Sequence, residues 1–408
     1  MQISTKLLKF TRKSSLVLVG GGVLVVVIYF LFLSGNGQIF EKTIMVEEEN
    51  FQLHSSKPFA PQIVENCKDD VHCAVVSLQT ISQDSEKTEV VQTFDEVLQL
   101  YRGKYPCHEL SHHLGMWFYA YLGNVTEALS YSDQVCGGGI FHGVIESYLL
   151  TEQFHGKGPE DLDLKAICPR SGENPNYIEH WQCLHGLGHG LTKLYPNDVS
   201  SAVKRCDEFD GEIEQLSCSK GVFMQNVVDH FETGKGDFDK DDIFYPCNAV
   251  DPKRAPACYH YHVSYLNLLN DGYIKNTFDD CDKIVPQEMI KYCYYGYGRE
   301  MESDIKNRVS EAVRLCSLGQ KSEYHSYCLK GMLLTIVNAG TKTDRGFSFC
   351  KTLPVEFKND CYDGIGKWIT LLSKDLSGEF RQQECAKAES QQYSEICLNA
   401  RLEDSPLI

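Results

Sequence analysis

The chain has 408 residues, 39 Lys and Arg against 56 Asp and Glu for a formal net charge of −17, and 18 cysteines. That length suits two or three compact domains or one extended repeat array. The acidic balance repels phosphate backbones and predicts no nucleic-acid partner, while the lack of any C-x2-C knuckle argues against a cytosolic zinc-knuckle protein.

Residues 1–13 form a basic tail with Lys6, Lys9, Arg12 and Lys13 and no acid. Leu16 to Leu33, LVLVGGGVLVVVIYFLFL, then runs without a charge. At about 1.5 Å rise per residue, this run and its small flanks just cross a hydrocarbon core of roughly 30 Å. The spacing predicts one transmembrane helix over 14–34, with the basic tail cytoplasmic and everything beyond it on the far side of the cell membrane. The alternative is a cleaved signal peptide, for which Gly35-Asn36-Gly37 offers small residues. The apolar run is longer than the usual signal-peptide core, which favours the anchor. Residues 35–64 carry Pro58 and Pro61 and little periodicity, and are expected to be a stalk. Residues 65–400 are the expected ectodomain, and 401–408 a short tail. Without the four basic residues of the tail, 35 Lys and Arg face 56 acids, a net charge of −21. Asn124-Val125-Thr126 is an N-glycosylation sequon on the exported side.

The cysteines fall in close couples: 67/73, 168/183, 206/218, 247/258, 281/293, 316/328, 350/361 and 385/397. Cys107 and Cys136 are left for each other. In an exported chain this reads as nearest-neighbour disulfides. Cys183, Cys218, Cys293, Cys328 and Cys361 each open C-x-x-G, and Cys136 opens CGGG. From Cys136 the steps between units are 47, 35, 40, 35, 35, 33 and 36 residues. The stretch before the first cysteine repeats too, as VSSAVKRC (Val199–Cys206) and VSEAVRLC (Val309–Cys316). Each unit reads as a long helix beginning near C-x-x-G, a polar turn, and a short helix capped by Ser or Asp. The expected fold is all-α: a disulfide-stapled α-solenoid of helix hairpins with a period of about 35. The period resembles that of tetratricopeptide and Sel1-like repeats. The tetratricopeptide Trp/Leu/Gly/Tyr pattern is missing, so the resemblance implies a fold and carries no function. In the long step near 237, Asp237, Asp239 and Asp241 have EF-hand ligand spacing. Asp242 replaces the turn glycine and Asn248 the bidentate Glu, which leaves a solvated acidic loop.

The histidines concentrate in the first units. Counted six residues from the leading cysteine, His113, His142 and His189 fall in one row, followed by Met224. Four residues earlier stand Glu109, His185, Lys220 and His260. Stacked helices about 8–10 Å apart would bring such a row together. Imidazoles with a carboxylate, Glu109 or Glu146, suit Zn²⁺, and Met224 would tilt the choice toward copper. A competing register is His108-Glu109-Leu110-Ser111-His112, the H-E-x-x-H of zinc peptidases, with Glu109 as general base. It extends to Gly115, but Phe118 stands where a third histidine belongs. The function classes that follow are a metal-binding module with a protein or peptide partner on its helical surface, a zinc-dependent hydrolase, or a purely structural surface protein. Without metal, the same histidines are interhelical hydrogen-bonding residues. Aromatic stretches such as Tyr292–Gly298 could line a partner groove, although such residues more often pack in the core.

Overall fold

A computed structural model describes residues 32–33, 39–40, 58–101, 107–132, 135–168, 178–301, 309–338, 343–373 and 377–402. The chain divides into two units, Met1–Gln52 and Leu53–Ile408. In the first, Phe32–Leu33 pairs antiparallel with Ile39–Phe40, Phe32 opposite Phe40 and Leu33 opposite Ile39. The anchor expected over 14–34 otherwise lies outside the described residues. Among those described, no helix is long and apolar enough to cross a membrane.

The second unit is all-α. It opens with α1 (Phe59–Cys67), α2 (Val71–Asp84) and α3 (Lys87–Tyr101). Helix α1 begins inside the stretch expected to be stalk. Ala60, Ile63, Val64 and Cys67 recur at helical spacing on one buried face, and Pro61 sits in the first turn, where its missing N–H costs nothing. Then come α4 (Cys107–Leu122), α5 (Val125–Ser130), α6 (Gly139–Phe154), α7 (Leu164–Ile167), α8 (Ile178–Leu194) and α9 (Val199–Arg205). Helices α10 (Glu212–Thr233), α11 (Ala255–Leu269), α12 (Ile274–Cys281) and α13 (Ile290–Glu300) follow, and among the described residues six more helices lie between Val309 and Asn399. The short helices are capped as their sequences predict. Asn124 Oδ1 accepts from Glu127 N at 2.9 Å and Asp198 Oδ1 from Ser201 N at 2.9 Å, each satisfying an otherwise unpaired first-turn donor.

All nine disulfides join the expected partners, including Cys107–Cys136, and no free cysteine remains. The long cysteine-led helices pack in chain order, α4 on α6, α6 on α8, α8 on α10, α10 on α11 and α11 on α13. Glycine sets how closely they approach. A Cβ on Gly221 would stand 1.9 Å from the carbonyl oxygen of His185, and one on Gly296 1.9 Å from that of His260. These are the C-x-x-G glycines, and each lies against the residue two beyond the cysteine of the preceding helix.

That contact rule gives the true register at the start of the array. Gly143 would meet the carbonyl oxygen of His112 at 1.8 Å, so α4 and α6 align with His112 and His142 as neighbours. Counting from the cysteines misplaces them because the cysteines do not share one place in their helices: Cys107 opens α4, Cys136 stands outside α6 and Cys183 lies within α8. Cys136, Gly137 and Gly138 take left-handed φ values of 58°, 66° and 75° before α6 begins at Gly139. Cys183 and Cys218, by contrast, lie inside α8 and α10. The row of equivalent positions is therefore His112, His142, His185, Lys220 and His260. Four residues further on comes a second row, Glu146, His189 and Met224.

Candidate metal centre

Helix α8 is sealed along nearly its whole length, and two of its buried residues are His185 and His189, one turn apart on the same face. Helix α6 brings His142 against them. The three rings are 1%, 6% and 3% exposed for His142, His185 and His189. His142 stacks on His189 with centroids 4.6 Å apart, and His185 lies 5.0 Å from each. One nitrogen from each ring can be chosen so that all three lie within 4.8 Å of one another. Zinc–imidazole bonds are about 2.0–2.1 Å, so ring rotations that move each nitrogen by less than about an ångström would close the set on one ion.

The hydrogen bonds around the rings define which nitrogens are available. Gln225 on α10 donates its amide nitrogen to Asp229 Oδ1 at 2.8 Å, and a carboxylate can only accept. The Gln225 oxygen therefore faces His189 Nδ1, 2.6 Å away, and the ring donates to it. That leaves His189 Nε2 as the lone-pair nitrogen, buried and without a partner. Asp229 is held in turn by an ion pair with Lys193. In the same way Gln182 Oε1 lies 3.2 Å from His142 Nε2, leaving His142 Nδ1 buried and unpartnered. His185 Nδ1 is a third such atom. Outer-shell acceptors that fix the tautomer and aim of a ligating imidazole are the usual support of a histidine metal site.

Electrostatics favour the ligating form. Burial and the neighbouring rings push His142 and His185 far below the ordinary imidazole range, and burial with the nearby charge of His112 lowers His189 to about 3. All three are neutral at pH 7, as metal ligation requires. Burial alone would raise the Glu146 carboxyl. The hydrogen bond and charge of His112, with the charges of Lys193 and His189, outweigh it and bring Glu146 to about 2.

The other candidates take different places. His112 is beside the cluster, 6.2 Å from His142 and 6.1 Å from His189 between centroids, with Nε2 3.1 Å from Glu146 Oε2. His108 lies 5.0 Å from His142 and donates Nδ1–H to the carbonyl oxygen of Cys136 at 2.9 Å. His113 and Glu109 are exposed on α4, outside the cluster. Among the described residues, the triad is the one group of His, Cys, Asp or Glu side chains that could hold a metal ion. The H-E-x-x-H pair forms one edge of that centre. Gln182 and Gln225 are the functional residues that sequence reasoning missed. Their only signal is polarity at buried positions of helices that otherwise close on one another. Comparison with family models, with curated proteins and with solved structures gave no match to this chain.

Proposed function

We propose that the chain is a membrane-anchored, extracytoplasmic metal-binding protein, an α-solenoid whose first helices hold a Zn²⁺ ion on His142, His185 and His189. The single observation that carries the reading is the set of three buried imidazoles, each with an unpartnered nitrogen and two with the opposite nitrogen held by a glutamine oxygen. Three neutral nitrogens leave the fourth zinc position for water or a ligand, as in catalytic rather than structural sites. Copper competes for any nitrogen site, so the metal is identified by competition. The test is a zinc titration of the purified full chain in detergent, with Cu²⁺ as competitor. The wild type is expected to take one zinc per chain. His189→Ala and His142→Ala should weaken binding at least a hundredfold, and His113→Ala should leave it unchanged. Equal affinity in all three variants would overturn the assignment.

One observation favours a hydrolytic reading. Glu146 is a buried, ionised carboxylate beside the triad, and a zinc-bound water needs such a base nearby. On that reading Glu146→Gln keeps the metal and removes the hydrolysis.

A further inference from the structure

The triad is closed by backbone and buried side chains everywhere but toward α4. At the level of the histidines, a Cβ on Gly143 would stand 1.8 Å from the carbonyl oxygen of His112, and one on Gly186 3.1 Å from that of Phe141. One on Gly221 would stand 1.9 Å from that of His185. Helices α4, α6, α8 and α10 therefore touch backbone to backbone there, and no ion passes between them. Against the rings stand Gln182, Gln225 and Tyr261, each buried. On the α4 side lies His112, 6.2 Å from His142 and 6.1 Å from His189 between centroids. Its side chain is 18% exposed, and that of Glu146, whose Oε2 it meets at 3.1 Å, is 8% exposed.

The two α4 histidines beside the triad are held differently. His108 Nδ1 is tied to backbone, the carbonyl oxygen of Cys136 in the bridged left-handed turn. His112 Nε2 is held by a side chain, Glu146. A part-exposed ring on such a contact can rotate toward solvent without any movement of the helices, as exposed side chains do within nanoseconds. Rotation would uncover Glu146, which is ionised at pH 7 and lies one turn beyond His142 on the same face of α6. A buried carboxylate stripped of its partner is costly, and a cation that replaces the imidazole removes that cost. The pair therefore stays closed until a cation arrives to take its place. Carboxylate oxygen is itself an ordinary zinc ligand, so the same group can hold the ion on its way in.

We propose that His112 and Glu146 form the gate of the metal centre: His112 swings out, Glu146 takes the arriving divalent cation, and the ion then passes to His142, His185 and His189. The gate rests on the zinc reading of the triad. It makes His112 a residue that sets the rate of metal exchange and not a ligand, and it gives the H-E-x-x-H helix a task without a peptidase.

The test is stopped-flow mixing of zinc with the metal-free full chain in detergent, with free zinc followed by a chromophoric indicator, and release into excess EDTA. His112→Ala should speed both association and release about tenfold, as removal of a lid does, with the equilibrium affinity within about fivefold of wild type. Glu146→Gln should slow association about tenfold, because the mouth loses the charge that draws the cation. His112→Gln keeps an N–H donor for Glu146 and should exchange zinc more nearly at the wild-type rate. His113→Ala, on the exposed side of α4, should leave both rates unchanged. Wild-type rates in His112→Ala, with one zinc still bound, would overturn the gate and leave the zinc reading standing. A hundredfold loss of affinity in that variant would overturn it too, by making His112 a ligand. Should His112→Ala fail to fold, unslowed association in Glu146→Gln decides against the gate. A wild type that takes no zinc would defeat the zinc reading and the gate with it.

Discussion

Gly221→Ala is the most direct probe of how helix contact supports the metal centre. The added methyl carbon would stand 1.9 Å from the carbonyl oxygen of His185, 2.9 Å from its carbonyl carbon and 3.0 Å from Gly188 Cα. A relaxed carbon–oxygen contact is well above 3 Å, so α8 and α10 must part by more than an ångström. All three obstacles are backbone, and no side chain can swing aside. Alanine in place of glycine favours a helix by up to about 1 kcal/mol. Overpacking of this kind costs typically 1–3 kcal/mol or more. The net expectation is a loss of about 2 kcal/mol, read as a lower urea midpoint with unchanged slope. Because His185 is the residue displaced, zinc affinity should fall at least tenfold in the same protein. Gly190→Ala is the control. Its Cβ would come within 2.3 Å of Leu149 Cδ1, the mobile end of a side chain, so stability should stay within about 1 kcal/mol of wild type. A Gly221→Ala protein as stable as wild type would refute the close-contact account of the C-x-x-G glycines.

Gln225→Leu removes the acceptor that holds His189 Nδ1 and should weaken zinc binding about 10–100-fold, with far-UV circular dichroism unchanged; an unaltered zinc isotherm would show that the ring is oriented by packing alone. Stability of the metal-free chain should fall with acid. His189 titrates near 3 in the fold against about 6.5 unfolded, so the unfolded state takes the proton first. Stability is then full above pH 6.5 and declines toward pH 3, by about 2 kcal/mol at pH 5 from this residue alone, with Glu146 adding a loss of the same sign below about pH 4.5. A urea midpoint in EDTA that is the same at pH 7 and pH 5 would contradict this. For topology, protease added outside intact cells should digest the region beyond residue 40 and spare the basic tail, and Asn124 should carry a glycan; a protected ectodomain would reverse the proposed orientation.

The helical class and the bridges were legible because cysteine couples about 12 residues apart leave few alternatives once they are read as disulfides. The role of Gly221 and Gly296 was legible for a related reason, since a glycine recurring three residues after a cysteine marks a place where a side chain does not fit. The row of histidines was legible as a row but not in its register. Counting from cysteines assumes that every cysteine sits at the same place in its helix, whereas Cys107 opens α4, Cys136 precedes α6 in a left-handed turn and Cys183 lies inside α8. His113 consequently seemed to belong where His112 stands. The H-E-x-x-H spacing was read correctly as a helix with both histidines on one face. Nothing local shows that His112 turns to Glu146, 34 residues away in sequence, instead of joining His108 at a metal. Gln182 and Gln225 escaped notice because glutamine is an ordinary helix residue, and only the packing of α6, α8 and α10 reveals what their oxygens hold.

The pattern of bridges bears on how such a chain is made. Every disulfide closes over 6 to 29 residues, and none reaches past the next helix pair. On the proposed extracytoplasmic reading, the chain can therefore be oxidised in the order in which it appears, each cysteine meeting its partner before the following couple arrives. Wrong pairings have to compete with a correct neighbour that is already present. Damage stays local for the same reason. A single cut in one of the bridged turns leaves the two fragments covalently joined, and reduction of one bridge frees one hairpin while its neighbours keep theirs.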